Sequence, residues 1–125
     1  MILVDTDVAI DILRGHPPAL NWLQSLGSTP LGLPGLVVME LLQGCQNKGE
    51  QQRVEKFCQP YTLCWPAEAH CQRALQDFAA FHLSNNLGLL DSLIAHTAVG
   101  LNEPLATFNV KHYGIVPGLS TIQPY

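Results

Sequence analysis

The chain has 125 residues, 47% of them apolar and only 13% charged. This is the reverse of the composition that keeps a polypeptide unfolded, so one ordered domain over residues 1–125 is expected. Ten Asp and Glu against six Lys and Arg give a net charge of −4, which excludes a protein that coats nucleic acid by bulk electrostatics.

From the N-terminus, "MILV" is a short apolar run suited to a buried parallel strand. "DTDVAIDILRG" then sets Val8 and Ile12, or Ile10 and Leu13, at helical spacing before the Gly15 stop. "HPPALNWLQSLG" reads as a second short helix, with prolines at its start and Gly27 at its end. Residues 29–33 read as a strand, and Pro34 opens a helix that runs through Glu40 to about Gln46. A polar helix over residues 50–59 follows, then a short β-rich run, "YTLCW". "PAEAHCQRALQDFAAFHL" is a long helix with Pro66 near its first turn, and "SNNLGL" is a loop. The helix "SLIAHTAVGLN" starts at Asp91 or the residue beside it. "PLAT" is a further strand, "VKHYGIVPG" a turn and loop, and "LSTIQP" a final short strand. Strands alternating with helices predict an α/β sandwich with a central, mainly parallel sheet flanked by helices, and no internal repeat interrupts the pattern.

No apolar run is long enough to span a membrane, and Asp5 interrupts the first apolar run before a signal core can form. A cytoplasmic protein with no membrane partner is expected. Cys45, Cys58, Cys64 and Cys71 contain no CxxC pair, so reduced thiols are expected even though His70 adjoins Cys71.

In parallel sheets, ligands bind beyond the carboxyl ends of the strands. Asp5 sits at such an end, Asp91 heads a helix and Asn109 follows the strand "LAT". Glu40 lies one or two turns inside an apolar helix and has to aim its carboxylate inward across the same edge. Taken singly, Asp5 and Asp91 read as helix caps. Brought together, such carboxylates repel, and a divalent cation removes the conflict. Oxygen-only ligands suit Mg²⁺ or Mn²⁺, and such a site can activate water for attack on a phosphodiester. Asp7 and Asp11 read as outer groups, with Asp7 close enough in sequence to touch a metal-bound water. The basic residues Arg14, Lys48, Arg53, Lys56 and Lys111 would then lie around the cleft of a nuclease.

On four stretches the sequence resembles the PIN-domain family and, within it, the VapC-like ribonuclease toxins of toxin–antitoxin pairs. They are "MILVDTDVAIDILRG", "VVMELLQG", "LLDSLIAHTA" and "LATFNVKHYGIVPGL", which occur in order over almost the whole chain. The resemblance implies that Asp5, Glu40 and Asp91 are the catalytic, metal-binding acids of an endoribonuclease that uses Mg²⁺ or Mn²⁺ to cleave RNA. It matches Thr6 to the small hydroxyl residue beside the first acid, and Thr107 to a polar residue of the last family strand. Asn109 stands where many members carry a fourth acid, and can offer a carbonyl oxygen but no charge. Pro34 stands where a Ser or Thr often opens the Glu-bearing helix. Arg14, Lys48 and Lys111 are the candidates for RNA contact. An antitoxin protein held in a groove beside the helices at 8–13 and 36–42, and a homodimer, are the implied partners.

Two further readings are open at this level. "LVDTDVAI" resembles the DxD signature of haloacid-dehalogenase-like phosphatases, with Asp5 as nucleophile, although Ala9 replaces the expected Thr and the later aspartate pair is missing. A non-catalytic PIN-like interaction module is the other, against which the intact acidic triad argues.

Overall fold

Apolar runs of two to four residues become strands and the periodic stretches between them become helices in the computed structural model, which describes residues 1–125. In chain order the elements are β1 (Ile2–Val4), α1 (Thr6–Leu13), α2 (Pro17–Ser25), β2 (Leu31–Pro34), α3 (Gly35–Gln43) and α4 (Lys48–Cys58). They continue as β3 (Thr62–Cys64), α5 (Glu68–Asn85), α6 (Leu89–Leu101), β4 (Leu105–Ala106), α7 (Val110–Tyr113) and β5 (Thr121–Ile122).

The five strands form one sheet in the order β3-β2-β1-β4-β5. Every neighbouring pair is parallel, so the sheet is wholly rather than mainly so. Leu3 of β1 stands opposite Gly32 on one side and Leu105 on the other. From β1 the chain builds outward to β2 and β3, then crosses back through α5 and α6 to β4 and β5. The strand order therefore reverses at β1, and the crevice that such a reversal opens lies beyond its carboxyl end. Asp5 is the next residue.

The core is a cluster of 21 buried residues, with Leu3, Val4, Leu33 and Leu105 from the sheet and Val8, Val37 and Ile94 from the helices. Each fully buried aliphatic side chain of this kind contributes roughly 1.5–3 kcal/mol. Helix α6 is the most deeply embedded, packed on α5, α3 and β2. Its polar residues are buried because they find partners. Ser92 Oγ donates to the Ala74 carbonyl at 2.7 Å, Thr97 Oγ1 to the Leu93 carbonyl at 2.8 Å, and His96 Nε2 meets Asp77 Oδ2 at 2.5 Å. At the start of α3, a Cβ on Gly35 would fall 2.3 Å from the Trp65 ring. Only glycine lets that indole lie against the helix.

Boundaries differ from the sequence expectation at several ends. Pro34 closes β2 instead of opening the next helix, α3 stops at Gln43 short of Gln46, and α5 runs on to Asn85 into the stretch expected as loop. Helix α4 starts at Lys48, because the Asn47 side chain accepts from the Glu50 N–H at 2.9 Å and caps it. Helix α6 starts at Leu89, which puts Asp91 inside its first turn instead of at its head. The stretch expected as turn and loop contains α7, one turn closed by the Asn109 carbonyl, which accepts from the N–H groups of His112 and Tyr113 at 3.1 Å each. Burial of Tyr113, 1% exposed, anchors that turn. All four cysteines are free thiols, with Cys64 buried. No helix is long and apolar enough to cross a membrane.

Candidate functional site

Asp5 leaves β1 in an extended conformation and caps α1, with its Oδ1 accepting from the Thr6 N–H at 2.8 Å. Its Oδ2 accepts from Thr107 Oγ1 at 2.8 Å, and Oδ1 also accepts from the Tyr113 hydroxyl at 3.2 Å. The residue is only 7% exposed. Burial pushes its carboxyl up to about 6, against the Thr107 bond, and the charges of Asp7 and Asp91 add to the rise.

Asp91 reaches the same place from the first turn of α6. Its Oδ2 accepts from the Gly88 N–H at 3.2 Å and meets His112 Nε2 at 3.0 Å, while its Oδ1 accepts from the Tyr113 hydroxyl at 3.4 Å. One phenolic oxygen thus touches both aspartates. Burial, then the charges of Asp5 and Asp91, pushes the Tyr113 phenol up, so it remains a neutral donor.

Glu40 is half-buried on α3, where its Oε1 accepts from Thr6 Oγ1 at 2.9 Å. It is tied to the neighbour of Asp5 and not to Asp5 itself. Asp7 accepts from the N–H groups of Val8 at 2.7 Å and Phe108 at 3.1 Å. Burial raises its pKa, and those two bonds oppose the rise. With both oxygens engaged by backbone, Asp7 is poorly placed for the acid/base role that the phosphatase reading gives it. Thr107 is fully buried, donating to Asp5 and accepting from the Asn109 N–H at 3.0 Å. Asn109 enters this network through its backbone, and its side chain is exposed.

The structure brings Asp5 and Asp91 together and sets Glu40 alongside through Thr6. No three His, Cys, Asp or Glu side chains close into a ready-made metal shell. The donors nevertheless fit a hard divalent cation. They are all carboxylate oxygens, Mg²⁺ commonly takes only one or two of these and keeps its waters, and bound positive charge would relieve the repulsion and burial that raise the Asp5 pKa.

On the Glu40 side of the site, a groove of about 420 Å³ runs between α1, α3 and α4, with Ile10, Leu13, Arg14, Glu40, Arg53 and Val54 in its lining. Arg14 thus shares that lining with Glu40, whereas Lys48 lies in the first turn of α4 outside it, and Lys111 lies on α7 beside His112. Sequence reading missed His112 and Tyr113. Their only local signal is "NVKHY", a single turn too short to show helical periodicity.

A wholly parallel sheet with acids gathered at the carboxyl end of its middle strand defines an α/β domain with an acid-lined crevice. Residues 2–115 match the PIN domain, and the chain belongs to that family. It is 36% identical over 115 residues to Ribonuclease VapC10 of Mycobacterium tuberculosis, covering 90% of this chain and 86% of that protein. It is 32% identical over 123 residues to Ribonuclease VapC19 of the same organism, covering 95% and 97%. The fold also superposes on a toxin–antitoxin complex from Klebsiella pneumoniae with a TM-score of 0.76, at 24% identity and covering 100% of this chain and 98% of that one.

Proposed function

We propose that residues 1–125 form one domain, a divalent-metal-dependent endoribonuclease that serves as the toxin of a toxin–antitoxin pair. The observation that carries the reading is the meeting of Asp5 and Asp91 on one phenolic oxygen at the point where the strand order reverses. Likeness to two ribonucleases over nine-tenths of the chain or more supports RNA as the substrate.

In this reading Asp5, Asp91 and Glu40 hold Mg²⁺ or Mn²⁺, which when bound supplies an activated water and neutralises charge at a phosphodiester. Thr107 and Thr6 fix the orientations of Asp5 and Glu40 through the bonds described above. Arg14, Lys48 and Lys111 bind RNA phosphates and position the strand without reading its bases.

Purified protein is expected to cleave RNA, to stop when the metal is chelated and to resume with Mn²⁺. Asp5→Asn, Glu40→Gln and Asp91→Asn each remove most cleavage while circular dichroism shows a folded chain. Cleavage that persists in chelator, or in all three variants, overturns the reading.

The inhibitory partner is an antitoxin segment that fills the groove between α1, α3 and α4 and sets a basic side chain against the carboxylates. Its affinity is expected to fall as Mn²⁺ rises, and metal-independent binding counts against insertion into the site. A homodimer completes the proposal, bringing two basic rims into one RNA path.

A further inference from the structure

We infer that the Tyr113 hydroxyl is a positioning group that holds Asp5 and Asp91 together as one cation-binding pair. This rests on the metal-dependent reading above and deepens it. The phenolic oxygen lies 3.2 Å from Asp5 Oδ1 and 3.4 Å from Asp91 Oδ1, bridging residues 108 and 22 positions away in sequence. No other side chain hydrogen-bonds both aspartates.

The chemistry of a phenol suits the task. It offers one proton and no charge, so it satisfies either carboxylate, or both in a shared bond, without neutralising the site as Lys or Arg would. Tyr113 cannot swing aside, since it is 1% exposed and its carbonyl accepts from the Val116 N–H at 3.0 Å. Asp5 is pinned from the other side by Thr107 and the Thr6 N–H. Asp91 is freer, with a side chain 35% exposed and held otherwise by Gly88 and His112. Without the hydroxyl, repulsion turns Asp91 away from Asp5, and a cation must then draw the pair back at the expense of affinity.

Tyr113→Phe keeps the buried ring and removes only the oxygen. Calorimetric titration of the full chain with Mn²⁺ is expected to show affinity about 10- to 100-fold weaker, the range known for groups that orient metal ligands. Unchanged or tighter Mn²⁺ binding by the folded variant overturns the inference, because a purely structural hydroxyl would lower the melting temperature without touching metal affinity.

A second measurement needs no metal. Melting temperatures are compared for the wild type, Tyr113→Phe, Asp91→Asn and the double variant in chelator. A clamp makes the two substitutions non-additive, whereas additive shifts overturn it. If the wild type binds no Mn²⁺ at all, the metal-dependent reading fails, and this cycle still decides whether the hydroxyl couples the aspartates.

Discussion

Asp5 is the residue at which fold and chemistry make opposite demands. The turn from β1 into α1 uses it as a cap, and the crevice buries it to 7% exposure beside Asp7 and Asp91. Burial raises its carboxyl from 3.8 to about 6. The folded chain therefore keeps a proton that the unfolded chain gives up, and the number bound is larger in the native state between these values. Stability from this group is fully present below about pH 3.8 and is lost as pH rises through about 6. The shift corresponds to roughly 3 kcal/mol. In chelator, the difference in urea-unfolding free energy between Asp5→Asn and wild type is expected to grow across that window in favour of the variant. A flat difference between pH 4 and pH 7 would show that Asp5 titrates normally. Added Mn²⁺ should reverse the order above pH 6, because the wild type alone gains binding energy from the ion.

At the scale of elements, the alternation of apolar runs and periodic stretches made the α/β class legible, and placed Asp5, Glu40 and Asp91 on the right segments. What the sequence left hidden depends on long-range contact. Nothing local orders five short strands as β3-β2-β1-β4-β5. The step from one acid to three neighbours rests on the carboxyl-end rule for parallel sheets and on family resemblance, and neither shows that Asp5 and Asp91 pair on one phenol while Glu40 stands alongside through Thr6. Helix α7 was illegible for a different reason. One turn carries no period, and Tyr113 and His112 acquire meaning only when α6 brings Asp91 beside them. This also changes the place of Asn109. Its carbonyl closes α7 and its N–H donates to Thr107, both of which any residue except proline supplies. Asn109→Ala is expected to leave Mn²⁺ affinity within about threefold of wild type, the scale of an exposed substitution. A loss of tenfold or more by calorimetry would restore its side chain to the surroundings of the metal.

For the whole molecule, the C-terminal residue ties three parts of the chain together. The Tyr125 hydroxyl donates to Asp11 Oδ2 at 2.7 Å, and its ring packs edge-on against Phe108 at 4.7 Å and tilted against Trp22 at 6.3 Å. Burial, then the bond to Asp11, pushes the Tyr125 phenol up, so the strap holds across the working pH range. Because Phe108 supplies the N–H that holds Asp7, loss of the ring should loosen the edge of the site as well as the fold. Tyr125→Ala is expected to cost about 2 kcal/mol in urea unfolding, less than a fully buried aromatic. Tyr125→Phe, which keeps the ring, should cost about 1 kcal/mol.

The proposed homodimer has its best surface on the opposite flank of the sheet. β3 is an edge strand, and Leu63 and Trp65, two residues apart and 54% and 53% exposed, fall on one side of its path. The Trp65 ring rests on Gly35, one helical turn from Met39, which is 56% exposed. An edge strand and an apolar patch left open together invite a second copy, since natural edges are otherwise blunted by charge. Leu63 is exposed on the edge strand, two strands from β1 and Asp5, so a charge placed there tests assembly without replacing a proposed metal ligand. Wild-type protein at micromolar concentration is expected to sediment as a dimer, and Leu63→Glu to shift it toward monomer. Because one acidic subunit offers few basic side chains, the monomer should also bind a long RNA more weakly, while its Mn²⁺ affinity stays level. If the wild type sediments as a monomer with full cleavage, two basic rims are not needed and a single subunit carries the RNA path.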